Sequence, residues 1–217
     1  MSVMIHIARQ LLRAFGKDEW FITVSGKQVF VLNPRVEDID GQDIGHALCH
    51  ICRFGGHTKK FYSVGQHSML VHSIVENAFS EKAVEPIRGF FSPVTVATKK
   101  DIRTAFMHDS PEAYLGDVIR PLKTFLPVYK FIESLWWNVI AEKYALHQRM
   151  PAMVKYADRV ALLTERRDLI TPHRAARPWR EDKNGPQPWP GEITPLEPYD
   201  CLAQFMARFS HLGLRTR

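Results

Sequence analysis

The chain has 217 residues, 45% of them apolar and 24% charged, with a formal net charge of +6. That length suits a single domain with a substantial core, and the ordinary composition excludes a disordered chain. No apolar run is long enough to span a bilayer, which excludes a transmembrane helix, and the modest positive charge favours anionic partners without identifying one.

The opening segment, MSVMIHIARQLLRAFGK, is basic and amphipathic but has no sustained apolar stretch. It reads as a surface helix, an N-terminal extension over 1–19, rather than a secretory leader. WFITVSGKQVFVL, from Trp20 to Leu32, alternates around Ser25-Gly26 and predicts a small β-hairpin closed by Asn33-Pro34. Most of the remaining chain reads as helix. Asp43 to Ile51 puts Ile44, Ala47, Leu48 and Ile51 on one face, and the RFGGH run from Arg53 to His57 breaks that helix. Tyr62 to Asn77 aligns Val64, His67, Val71, Ile74 and Val75.

Phe79 to Lys100 carries Pro86, Gly89 and Pro93 among β-branched residues and reads as an irregular insertion. Asp101 to Tyr114 is a third helix, with Asp101 as its cap and Gly116 ending it. Val128 to Leu146 is long and amphipathic, with Phe131, Leu135, Val139 and Ile140 inward. Pro151 to Ile170 follows, with the proline suitably placed at its start. Thr171 to Pro198 is rich in Pro, Arg and Trp and reads as a long surface loop. Tyr199 to Leu212 closes the chain with Leu202, Phe205, Met206 and Phe209 facing the core. The fold class is all-α with one minor hairpin, in one domain.

The three cysteines, Cys49, Cys52 and Cys201, are too few and of the wrong parity for a disulfide framework, and point to a reducing compartment, the cytoplasm. Cys49-His50-Ile51-Cys52 has no second C-x-x-C and no β-α-β surroundings, so packing accounts for it better than zinc or redox chemistry.

The stretch AFMHDSPEAYLGD ends an apolar helix in polar groups. Burying such groups without partners is costly. His67 lies on an otherwise apolar stripe, and Asp158 lies amid apolar residues in VKYADRVALL. Three helices thus bring His67, the His108-Asp109 pair and Asp158 inward. Two imidazoles with two carboxylates suit a divalent ion such as Co, Mn, Zn, Ni, Fe or Mg. Four protein ligands around an octahedral ion leave room for water and a substrate oxygen, as hydrolysis requires. Singly, each residue has an ordinary alternative: a hydrogen-bonded core histidine, a chance His-Asp pair, a structural aspartate.

His, then His-Asp, then Asp from separate helices resembles the HD-domain phosphohydrolases. ICRFGGHTKKFYSVGQHS, HDSPEAYLGDVIRPLK and VKYADRVALLTERRDL resemble, in order, segments of the 5′-deoxynucleotidase-like branch, which includes phage dATP triphosphohydrolases. The likeness covers roughly 20–170, leaving 1–19 and the 79–100 insertion outside it.

The resemblance implies an HD-domain helical fold and assigns His67, His108, Asp109 and Asp158 as metal ligands. It makes Glu112 the acid that handles the proton of the attacking water. Asp117 matches an acid associated with the sugar hydroxyl, and Arg53-Phe54 match an Arg-aromatic pair that meets phosphate and sugar or base; some relatives have Trp where this chain has Phe54. His57 and Lys155 are further candidates for phosphate contact. Glu165-Arg166-Arg167-Asp168 reads as a solvated charge run.

The reaction implied is water attack at the α-phosphorus of a 2′-deoxynucleotide. It leans to dATP giving deoxyadenosine and triphosphate, with a monophosphate 5′-deoxynucleotidase as the alternative. A non-catalytic nucleotide sensor and a nucleic-acid-binding protein are the rivals from other classes. No long nucleic acid is expected as partner, since no basic-aromatic array is present. The resemblance also implies a homo-oligomer in a bacterium or phage-infected host, to which Leu135-Trp136-Trp137 offers a contact unless that stretch is core.

Overall fold

The computed structural model of the chain describes residues 19–79, 96–172 and 185–215, together with Gln10, Ala14 and Trp179. The helix expected over 1–19 therefore lies almost wholly outside the described residues, as do 80–95 of the insertion expected over 79–100 and part of the 171–198 loop.

The hairpin forms as its alternation predicts. β1 (Trp20–Ile22) pairs antiparallel with β2 (Gln28–Phe30), Phe21 opposite Val29. Gly26 supplies the positive φ that the turn needs, and Ser25 anchors the turn to the helical body by donating from its amide and hydroxyl to the buried Asp43 carboxylate.

The body is helical. α1 (Gly41–His50) starts at Asp40, whose side chain accepts the Gln42 amide. α2 (Val64–Ala78) starts at Ser63, capped the same way onto Gln66. α2 is buried along most of its circumference because α3 (Lys99–Met107) and α7 (Ala152–Leu169) pack on it, and α1 and α8 (Pro198–His211) cover it further. The short α4 (Glu112–Leu115) and α5 (Arg120–Lys123) lead into the long α6 (Pro127–Lys143).

Two apolar clusters result. One gathers Leu48, Phe106, Trp136, Ile140, Phe205 and Phe209; the other packs Val71, Ile74 and Val75 of α2 against Val154, Ala157 and Ala161 of α7. Among the described residues no helix is long and apolar enough to cross a membrane.

Three sequence expectations need correction. The third helix does not run from Asp101 to Tyr114: it begins at Lys99, ends at Met107 and gives way to a turn over 108–111. Pro111 explains the break, since it has no amide hydrogen for the Met107 carbonyl and its ring crowds that carbonyl. The N-cap is Thr98, not Asp101, which instead answers from the third helical position in a reciprocal capping box. Along α6 the buried residues are Trp136, Trp137, Ile140 and Ala141, whereas Phe131 and Leu135 are only half-buried. The Trp pair is therefore core. Trp136 stacks on Tyr114 with centroids 4.2 Å apart and donates its indole N–H to Val31 O.

Candidate metal centre

Four segments build the site. His67 lies one turn into α2, held by the tight approach of α2 to α1: a Cβ on Gly65 would stand 2.6 Å from Cys49 Sγ and 3.2 Å from its backbone. His108 and Asp109 occupy the turn that Pro111 forces at the end of α3. Asp158 projects from α7. Arg53 stands in the 3₁₀ turn Arg53–Gly56, returned toward α2 by its amide's bond to Tyr62 O and by the bridge between Cys52 and Ser63.

These side chains meet around His67 Nε2. It stands 3.2 Å from His108 Nε2, 3.4 Å from Asp109 Oδ2 and 3.3 Å from Asp158 Oδ1. His108 Nε2 in turn lies 3.2 Å from Asp109 Oδ2. Among the described residues His67, His108 and Asp109 form a group, with donor atoms all within 4.8 Å of one another, that could hold a metal ion. Cis ligands about 2.1 Å from a shared octahedral cation stand about 3 Å apart, so the spacing fits.

The tautomers make the fit sharper. His108 Nδ1 lies 2.8 Å from Ala105 O, an acceptor only, so this nitrogen carries the proton. His67 Nδ1 lies 2.6 Å from Glu165 Oε1 and donates to that carboxylate. With Nδ1 of each ring turned to an acceptor, the two Nε2 atoms face each other and carboxylate oxygens, an arrangement that positive charge between them satisfies, whether a cation or a proton on Nε2.

The ionisation tendencies agree. Burial and Arg53 push His67 down, but Glu165 and Asp158 prevail and raise it to about 9. Burial alone would raise Asp109, yet His108, His67 and Arg53 hold it well below the usual carboxylate range. Asp158, raised by burial and lowered by His67 and His108, settles at about 2.

The cluster borders a cavity of about 960 Å³. Of the sequence candidates, Arg53, Phe54, His57, His108, Asp109, Glu112, Asp117 and Asp158 line it, with His67 wholly buried behind them. Lys155 is exposed and is not among the lining residues. Phe54 adopts φ +56°, a left-handed conformation costly for an aromatic residue, and carries the Arg53 guanidinium 5.5 Å from its ring centroid.

Glu112 is buried. One carboxylate oxygen accepts from Lys123 Nζ at 3.2 Å, and the other, Oε2, has no hydrogen-bond partner. Burial first, then Asp109 and Asp117, raise Glu112 well above the usual carboxylate range against the pull of Lys123 and Arg53. Burial likewise raises Asp117, which Arg53 opposes and Asp109 reinforces.

Sequence reasoning missed three residues here. Glu165 is wholly buried, so the expectation of a solvated charge run over 165–168 fails at its first member. Arg167 and Asp168, by contrast, pair with each other near the surface. Arg120 and Lys123 also line the cavity, Arg120 donating to Asp158 Oδ2 at 3.3 Å and Lys123 bridging Glu112 and Glu133. The usable signal for Glu165 was its spacing: seven residues beyond Asp158, it returns to the same helix face after two turns.

No protein-family model matches the chain. The uncharacterized protein YfdR of Escherichia coli (strain K12) is 36% identical over 191 residues, an alignment covering 88% of this chain and 94% of YfdR. The uncharacterized protein RCAP_rcc00048 of Rhodobacter capsulatus is 29% identical over 148 residues, covering 67% of this chain and 68% of that one.

Proposed function

The chain belongs to the family of the Escherichia coli protein YfdR, and we propose that it is a divalent-metal-dependent phosphohydrolase of the HD-domain type that cleaves the 5′ phosphoester of 2′-deoxynucleotides. The observation that carries this is the meeting of two imidazole Nε2 atoms 3.2 Å apart, with carboxylates on either side, beside a cavity that also presents Arg53 and Glu112. The resemblance of the three sequence segments to the 5′-deoxynucleotidase-like branch supplies the substrate class.

His67, His108, Asp109 and Asp158 would hold a divalent cation, which would supply Lewis acidity toward a phosphate oxygen and water. The chain's own groups do the rest. Arg53 offers guanidinium N–H groups to the phosphate. Glu112, whose Oε2 is buried without a partner, takes a proton from water as the water oxygen bonds to the α-phosphorus. The bond from phosphorus to the sugar 5′-oxygen breaks, and the proton passes to that oxygen. Deoxynucleoside leaves together with phosphate from a monophosphate, or triphosphate from a dNTP. Asp117 and Phe54 line the cavity; in this proposal Asp117 meets the sugar and Phe54 faces base or sugar. The reaction leans to dATP, by the phage-like resemblance.

The test is incubation of metal-stripped protein with dNTPs, dNMPs and the matching ribonucleotides. Co, Mn, Zn, Ni, Fe or Mg is restored singly and products are separated by chromatography. Deoxyadenosine with intact triphosphate from dATP establishes the leading activity. Release from monophosphates alone makes the protein a 5′-deoxynucleotidase. Nucleotide binding without product under every metal replaces the enzyme with a sensor.

A further inference from the structure

His67 is clasped from both sides by one helix. Asp158 and Glu165 are seven residues apart on α7, about 10 Å along its axis and on the same face. The imidazole inserts between them: Nε2 stands 3.3 Å from Asp158 and Nδ1 2.6 Å from Glu165. Glu165 has a second engagement, its Oε2 accepting from Arg53 Nη2 at 3.3 Å, while Arg53 Nη1 reaches Asp109 at 3.4 Å. The Glu165 side chain is wholly buried, so it has no water to replace a lost partner, while that of Arg53, 11% exposed, reaches the cavity.

We propose that Glu165 is the positioning residue of the site: a single buried carboxylate that fixes both His67 as a metal ligand and Arg53 as a phosphate ligand. The proposal rests on the metal-centre reading above and names a residue that reading leaves out. The chemistry is specific to a carboxylate. Its two oxygens are acceptors only, one for each of two donors. Holding the proton on Nδ1 leaves the Nε2 lone pair free for the cation, and holding Arg53 Nη2 orients the guanidinium toward the cavity. A glutamine of the same shape offers one oxygen and one NH₂ group. With the His67 proton kept on Nδ1, one contact must fail whichever way the amide turns; moving that proton to Nε2 would keep both contacts but block the lone pair that the cation needs. Glu165 does not line the cavity and touches no reacting atom.

The experiment uses the full chain, metal-stripped, with Co(II) titrated in and followed by its visible absorption. Glu165→Gln is expected to bind Co(II) about 10- to 100-fold more weakly than the wild type, with a changed ligand-field spectrum. At saturating Co(II) its KM should rise more than its kcat falls, because Arg53 acts on binding. Arg53→Gln should raise KM while leaving Co(II) affinity within a few-fold, which separates the two arms of the carboxylate.

Equal Co(II) affinity and spectrum in wild type and a folded Glu165→Gln overturn the proposal; a wild type that binds no Co(II) overturns instead the metal reading beneath it. Should Glu165→Gln fail to fold, long-range ¹H–¹⁵N NMR of the zinc-loaded wild type decides. The proposal requires the His67 proton on Nδ1, and a proton on Nε2 overturns it.

Discussion

His67 Nε2 faces His108 Nε2 across 3.2 Å, while the Nδ1 of each ring is engaged by an acceptor, Glu165 in one case and Ala105 O in the other. Two imidazoles so disposed, with Asp109 Oδ2 within 3.4 Å of both, could hold a shared cation. Metal binding should therefore stabilise the fold. At Co(II) one hundred times its dissociation constant, linkage adds about 2.7 kcal/mol, read as a rise in melting temperature. His67→Gln and His108→Gln should each weaken Co(II) binding at least about 100-fold and abolish most of that rise, since each removes a ligand outright. Unchanged binding in both variants would show that the cluster is an ordinary hydrogen-bonded core.

Glu112 differs from the proposed ligands in having a buried oxygen without a partner, the other being held by Lys123. An acid needed for proton transfer rather than for metal retention should be separable from them. Glu112→Gln is expected to lower kcat by about 10²- to 10⁴-fold with KM and Co(II) affinity nearly unchanged. A parallel loss of Co(II) affinity would place Glu112 among the ligands instead.

What the sequence made legible and what it hid have physical reasons. His67, His108, Asp109 and Asp158 stood out because each is a polar residue where helical periodicity demands an apolar one, and the fold brings all four together. Glu165 violated the same rule, but its charged neighbours Arg166, Arg167 and Asp168 made it look solvated. Its seven-residue spacing from Asp158 pointed to the inward face, and its packing beneath His67 and Arg53 shows the burial. Pro111 announced a helix break that the apolar run before it obscured. Trp136 and Trp137 could serve core or interface equally by composition, and only the stack on Tyr114 and the bond to Val31 O settle Trp136 in the core. Arg120 and Lys123 carry no periodic signal, because their short helix follows the loop after Gly116 and enters the cavity wall through tertiary packing alone.

Gly65 links packing to the site. It stands two residues before His67, where a Cβ would meet Cys49 Sγ at 2.6 Å and Cys49 backbone atoms at 3.2 Å. Gly65→Ala should push α2 away from α1 and cost about 1–3 kcal/mol through overpacking, despite alanine's better helix propensity. Because His67 moves with α2, Co(II) affinity should fall too. Urea unfolding and Co(II) titration of the same preparation check both effects; a stabilised variant would mean that Cys49 yields freely.

His72 gives a pH dependence away from the proposed metal ligands. It is buried on α2 against Phe106, and Arg208 of α8 points Nη1 at its Nδ1 from 3.3 Å. Burial first, then the charges of Arg208 and His211, lower its pKa to about 4; Glu76 on its own helix, 3.9 Å away, is exposed and does not restore it. An unfolded histidine titrates near about 6.5. Above that pH the ring is neutral in both states, and its contribution to stability is fully present. As pH falls the unfolded chain takes up the proton first, so stability is lost progressively between about 6.5 and 4, by up to about 3 kcal/mol. His72→Asn keeps an oxygen acceptor for Arg208 and removes the titration. Its urea midpoint at neutral pH should be lower than that of the wild type, because the smaller side chain leaves a void, but its decline from pH 6.5 to 4 should be shallower. Chelator in both series lets the metal cluster's own titration cancel in the comparison. Parallel declines in the two proteins would show that the imidazole takes up its proton in the folded state as readily as in the unfolded one.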